Sequence, residues 1–249
     1  MKRILYLFVA LVVAILLFSN CSREEEKSTV VDWEGNEYKT MNFGGAWWMV
    51  ENMRTTKTRD GQNIWVSSDE DKFSYTIPYC YFYEDKKLEL KQRGCLYNWT
   101  AANQVCPEGW HLPTLEDYEA LEDYLSSVDK YCYKGDPNAI AKAMASKNKW
   151  KISDITGAPG DNSTSNNASG FNALPTGHFW HDVTSYYQRY TMETLFWLAD
   201  DYDGNYAYGI ELNYDDPEVS IVGCDKSAGD PVRCVKDDIE AGEPDVFFN

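Results

Sequence analysis

Seven cysteines stand at positions 21, 80, 95, 106, 132, 224 and 234, and what they do depends on where the chain folds. Thiols stay reduced in a cytoplasm and pair in oxidising compartments. The first residues bear on the compartment. Lys2 and Arg3 give a positive start, and Ile4 to Phe18 is an unbroken apolar run. As a helix that run is about 22 Å long at about 1.5 Å per residue. It falls short of a ~30 Å hydrocarbon core, so the segment reads as an export signal rather than a permanent span.

Behind it, "LFSNC" resembles a loose bacterial lipoprotein cleavage box, with Cys21 as the lipidated residue. The expectation is a signal peptide over residues 1–20 and membrane attachment through a lipid on Cys21. Residues 21–29 then form an acidic tether. Its "SREEEKS" resembles the surface-export signals of Bacteroidetes lipoproteins, which implies an outer-membrane lipoprotein facing outward. Setting Cys21 aside leaves six cysteines, an even number, so disulfides are the default. No Cys-x-x-Cys occurs and no pair has zinc-finger spacing. Spacing alone leaves the pairing open.

Charge limits the partners. Removing residues 1–20 takes Lys2 and Arg3 away, so the net charge moves from −17 to −19. Phosphates would be repelled, which excludes nucleic acid as a partner. The same acidity keeps the domain from lying on anionic lipid. The remaining length suits one sizeable core. With 18 Tyr and 9 Trp the chain is too aromatic for disorder and suits many strands.

Alternation and turn residues predict a first hairpin pairing residues 30–33 with 37–42, and "GG" at 44–45 marks a second turn. Leu96, Trp99, Ala102 and Val105 have helical spacing. The clearest helix is "TLEDYEALEDYL". Thr114 and Asp117 fit a capping box, and Leu115, Tyr118, Leu121 and Leu125 form its apolar stripe. Pro113 holds Leu112 extended and sets a sharp entry. A further helix is expected from "DPNAIAKAMASK", with Asp136 as N-cap and Pro137 first. Residues 153–170 are rich in Asn, Ser, Gly and Asp and read as a long loop, functional or mobile. Strand-like pieces follow, and the acidic tail 237–249 reads as frayed. Strands, helices, a long loop and strands again make an α+β layout.

Three blocks stand out together: "DWEGNEYKTMNFGGAWWMVENMRTTKTRDGQNI", "GCLYNWTAANQVCPEGWHLPTLEDYEALEDYL" and "SGFNALPTGHF" with "FWLADD" and "PVRCVKD". In order and spacing they resemble the FISUMP domain, the Fibrobacter succinogenes major paralogous family. The resemblance spans about residues 30–236. "FWLAD" departs from the family's small-residue form, and Cys95, Cys132 and Cys224 are not expected from it. "GWHLPTLEDYEAL" and "VRCVKD" are in turn similar to corners of C-type-lectin-like and formylglycine-generating-enzyme-like domains. That likeness implies paired N- and C-terminal strands, two flanking helices and a long loop region. It also implies a Cys106–Cys234 disulfide, leaving Cys80–Cys95 and Cys132–Cys224 as remaining pairs. Cys106 is then a crosslink, Trp110 a core anchor and His111 a hydrogen-bonded corner.

Motifs for chemistry are sparse. His111, His178 and His181 are the three histidines, and some relatives of the formylglycine-generating fold use a three-histidine iron site. In a strand, however, His178 and His181 would point to opposite faces. The cysteine pair that the formylglycine enzyme needs is not matched by Cys224 and Cys234. Asp200, Asp201, Asp203 and Asn205 surround Gly204, oxygen ligands of the kind Ca2+ takes, against a plain hairpin turn. Lectin-type calcium triplets are absent from the long loop, and "GEPD" at 242–245 lies in the tail. The expectation is therefore a non-catalytic binding or adhesion module for a glycan, a host protein or an assembly partner. It would use Trp180, Tyr186, Tyr187, Tyr202 and Tyr206 as contact residues. The alternatives are an envelope enzyme with a histidine metal site and a purely structural surface protein.

Overall fold

Asp32 shapes the first turn. Its Oδ1 accepts from the Glu34 and Asn36 N–H groups, and its Oδ2 accepts from Asn36 Nδ2 and the Tyr38 hydroxyl. On either side β1 (Ser28–Val31) and β2 (Glu37–Phe43) pair antiparallel, Val31 opposite Glu37. Gly44 and Gly45, at φ 63° and 116°, turn β2 into β3 (Ala46–Met49). A two-residue hairpin of this kind needs positive φ, which glycine adopts freely. The computed structural model describes residues 28–67, 73–82, 92–180 and 187–238. The expected signal peptide, Cys21, nearly all of the tether, His181, Tyr186 and most of the tail lie outside the described residues.

A small sheet follows: β4 (Trp65–Ser67), β5 (Tyr79–Tyr81) and β6 (Leu96–Tyr97), with β5 central. α1 covers Trp99–Val105, so Leu96 belongs to a strand and not to the helix its spacing suggested. The cause is Asn98, whose side chain accepts from the Ala101 N–H and fixes the helix start behind Leu96. β7 (Trp110–His111) leads into α2 (Leu115–Ser126). The capping box is complete: Thr114 Oγ1 accepts from the Asp117 N–H and Asp117 Oδ2 from the Thr114 N–H. Tyr118, Leu121 and Leu125 are buried, and Leu115 is half-buried.

The helix expected from Asp136 begins later and is short. α3 covers only Ala141–Met144. Asp136 Oδ1 accepts from the Asn138 N–H, a local turn that competes with capping. The polar stretch 153–170 is a long loop, as its composition suggested, and a packed one. Ala158, Asn166 and Ser169 are buried. Asn166 Nδ2 donates to the Ser146 and Pro159 carbonyls, and Gly160 N–H donates to Tyr214 O. The Lys142 ammonium donates to the carbonyls of Ala158 and Asp161. These polar residues answer buried backbone groups, as a packed loop requires.

β8 (His178–Phe179) pairs with β9 (Tyr187–Gln188). β10 (Glu193–Asp203), β11 (Tyr206–Asn213) and β12 (Val219–Asp225) form an antiparallel sheet. β13 (Val235–Lys236) enters the sheet of the N-terminal strands, in the order β1-β2-β3-β13-β7. Val235 stands opposite Trp48 on one side and His111 on the other. N- and C-terminal strands thus share a sheet, the last beside the third. The class is α+β, mostly antiparallel, with few helices.

β10 is buried from Glu193 to Leu198 because it stands between two core clusters. Phe196 and Leu198 pack with Trp48, Tyr118, Leu121, Phe171 and Ile210. Leu195 and Trp197 pack with Tyr38, Met49, Tyr97 and Ala207. The second cluster holds the Cys106–Cys234 disulfide. The other four described cysteines are buried thiols, and the expected Cys132–Cys224 pairing is corrected. Cys132 Sγ faces the carbonyls of Leu125, Ser126 and Val128 at the end of α2. Cys224 Sγ faces Asp230 Oδ2 at 3.4 Å, so these two thiols answer different partners. Cys80 and Cys95 adjoin one another, and burial pushes the Cys95 thiol well up.

Candidate functional site

The even-numbered side of β11 is buried at Ile210 and Leu212 and emerges toward the hairpin tip at Tyr208 and Tyr206. Register places Tyr206 opposite Asp225, Tyr208 opposite Gly223 and Ile210 opposite Ile221. Residues opposite one another share a face. Tyr202 of β10 joins this face, its ring T-shaped to that of Tyr208 with centroids 4.9 Å apart. It also lies across Gly223, where an added Cβ would come within 3.0 Å of the ring. Gly223 is thus the seat of an aromatic ring. Tyr202, Tyr206 and Ile221 remain 55%, 43% and 42% exposed.

Tyr75 completes the group, and sequence reasoning missed it. Its hydroxyl donates to Asp225 Oδ2 at 2.9 Å across a separation of 150 residues. That bond raises the phenol's pKa, with burial adding to it. Asp225 Oδ1 accepts from the Ser227 N–H and hydroxyl. Asn98 Nδ2 donates to the Ser74 and Ile77 carbonyls, and Thr100 Oγ1 donates to Tyr75 O. The residue that caps α1 therefore also fixes the segment carrying Tyr75.

Of the contact residues named from sequence, Tyr202 and Tyr206 come together here. Trp180 is half-buried against the core, beside His178 at 6.3 Å between ring centroids. Tyr187 stands opposite Phe179 in β9, and Tyr186 falls outside the described residues.

The calcium reading of Asp200, Asp201, Asp203 and Asn205 is corrected. The register of β10 with β11 shifts on either side of Asp201, and these residues take different partners. Asp200 Oδ2 accepts from the Leu115 N–H at 2.7 Å, a first-turn donor of α2. Asp201 Oδ2 pairs with Lys226 Nζ at 2.5 Å, which also donates to Gly204 O. Asn205 O accepts from the Lys226 N–H, while Asp203 is exposed at the turn. Among the described residues no three His, Cys, Asp or Glu side chains are placed to hold a metal.

The histidines are separately engaged. His111 Nδ1 lies 2.6 Å from Asp237 Oδ1 and its Nε2 3.1 Å from Asp117 Oδ2. The Asp117 bond, against burial and with help from Asp237, raises its pKa to about 8. Burial opposes the charge of Asp117, but bonds from His111 and Thr114 hold its carboxyl below the usual range. His111 is thus the hydrogen-bonded corner the sequence suggested. His178 Nδ1 lies 3.4 Å from Glu193 Oε1, and burial lowers the imidazole's pKa. Glu193 also pairs with Arg189. Burial, then neighbouring Glu211, raises its carboxyl to about 8.

No curated protein and no solved structure matches the chain. A family model does match, described as the Fibrobacter succinogenes major domain, over residues 41–236. That span runs from within β2 to the end of β13, well over half of the chain, and contains both ends of the disulfide. The chain belongs to the Fibrobacter succinogenes major domain family.

Proposed function

We propose that this protein is a lipid-anchored, non-catalytic binding module of the cell envelope, held outward on Cys21, with the tyrosine face as its contact surface. The observation that carries the reading is the gathering of Tyr75, Tyr202 and Tyr206. All three are exposed, and the distant segments that bear them are fixed by hydrogen bonds and a glycine seat. Tyrosine supplies large, rigid, amphipathic contact area at low entropic cost. The partner is a glycan, a host surface protein or an assembly partner. Nucleic acid is not, given a net charge of −17.

We read the fold as C-type-lectin-like. Terminal strands in one sheet, the helices α1 and α2, and a disulfide from the turn before α2 to the region of the last strand support that reading. The experiment is an array of glycans and extracellular-matrix proteins probed with the full chain and with Y202A/Y206A, with and without EDTA. Retention that the double variant loses and EDTA leaves intact is expected. A blank throughout would remove the binding role, and retention kept by the double variant would remove the face. For the anchor, cells fed an alkyne fatty acid should label the wild type and not C21S.

A further inference from the structure

From the chemistry of the tyrosine face we infer that its ligand is a neutral saccharide; the inference rests on the face being the binding surface. Its exposed atoms are of two kinds. Tyr75, Tyr202 and Tyr206 offer rings with a hydroxyl at the edge, and Ile221 offers aliphatic surface. A sugar ring presents a matching pair, a C–H face and a rim of hydroxyls. Ring stacking takes the first and phenol hydroxyls take the second.

The charges around the face decide against a charged ligand. Among the described residues the neighbouring cation, Lys226, is itself largely buried. It is held by Asp201 and Gly204 O, with its ammonium 4.5 Å from the Trp99 ring centroid. An anionic ligand would therefore meet a committed lysine and a chain of net charge −17. A cationic ligand would find most of the carboxylate oxygens here already engaged. Asp225 already accepts from Tyr75, the Ser227 N–H and the Ser227 hydroxyl. Asp201 is neutralised, and Asp200 is occupied by the start of α2. Among the described residues of the face Asp203, exposed at the turn, is left as a rim carboxylate to accept a sugar hydroxyl. With no metal-holding cluster among the described residues, recognition proceeds without a cation.

The test is affinity electrophoresis of the full chain through gels carrying neutral polysaccharides (β-glucan, mannan, xylan) or acidic ones (heparin, polygalacturonate). It is run at low and high salt and with EDTA. A protein array is run beside it. We expect retardation by at least one neutral polysaccharide, unchanged by salt or EDTA. Y202A and Y206A should each weaken it about three- to tenfold, the range of one aromatic contact. G223A, which displaces the Tyr202 ring, should weaken it as well, whereas I152A, at an exposed loop position, should not. Retardation by acidic polymers alone, falling with salt, overturns the inference. So does neutral retardation that no tyrosine variant alters. No retardation on any polysaccharide, with a protein ligand that Y202A/Y206A loses, overturns the saccharide but leaves the face as a binding surface. No difference between wild type and variants on either platform overturns both.

Discussion

Breaking the Cys106–Cys234 bond is expected to remove about 5 kcal/mol of stability. The two residues are 128 apart, and the chain-entropy model assigns ~5 kcal/mol at 25 °C to a closure of that length. The location makes the loss consequential. β13 is two residues long and is the seam between β3 and β7. Apart from the disulfide, that seam depends on a few backbone bonds, such as Met49 N–H to Cys234 O at 3.0 Å and Met53 N–H to Val232 O at 2.9 Å. Each contributes about 1 kcal/mol net, against a total of ~5–15 kcal/mol for a typical domain. The assay is urea unfolding followed by tryptophan fluorescence, on wild type, reduced wild type and C106A/C234A. The midpoint should fall in both perturbed samples. The denaturant slope should rise, because an open denatured chain exposes more surface than a closed one. The double variant also loses two buried sulfurs, roughly 1 kcal/mol each, so reduced wild type isolates the closure. The reasoning is refuted if reduction leaves the midpoint in place. It is equally refuted if non-reducing peptide mapping recovers Cys106 or Cys234 as a free thiol.

Three further outcomes follow from single side chains. His111 titrates at about 8 in the fold and 6.5 as a free group. Its contribution is therefore complete below about 6.5 and lost as pH rises through about 8. With the side chain a third exposed, screening leaves ~1 kcal/mol, and H111N should flatten the urea midpoint between pH 6 and 9. Glu193 has the opposite consequence. Its carboxyl titrates at about 8 instead of 4.5, so the unfolded chain ionises first and stability declines as pH climbs from about 4.5 to about 8. E193Q should be more stable than wild type at pH 9 and gain nothing at pH 4, read by thermal melts across that range. T114A removes half of the capping box and should lose about 1–2 kcal/mol, with T114S keeping most of it; a wild-type melting curve for T114A would contradict the cap.

Elements whose determinants are local were legible before the structure. Gly44-Gly45 sets its hairpin and Thr114 with Asp117 sets α2, each within a few residues. Asn98 and Asp136 show where that ends. Both are side chains of the capping type ahead of an apolar stretch. Asn98 accepts from Ala101 N–H and starts a helix, while Asp136 accepts from Asn138 N–H and makes a turn. Which donor wins is decided by tertiary neighbours. The Ala141 N–H, for instance, is claimed by Pro217 O far along the chain. Composition is ambiguous in the same way at 153–170. Asn and Ser suit a mobile segment and equally suit one whose amides answer buried carbonyls, as Asn166 does for Ser146 and Pro159.

The candidate site was half legible for a related reason. Exposed tyrosines on late strands were expected, and Tyr202 and Tyr206 are there. What makes them a face is non-local: the register of β11 with β12, a glycine seat at 223, and Tyr75 bonded to Asp225. No spacing rule joins residues 75 and 225. The acidic run at 200–205 was legible as composition and misread as chemistry, because the strand is irregular there and its carboxylates answer different partners. Those partners give these acids another role. Asp200 holds the start of α2, Asp201 holds Lys226, and Asp225 holds Tyr75. The carboxylates at this end of the sheet are thus committed to structural partners, and Asp225 is the one that ties Tyr75 to the face.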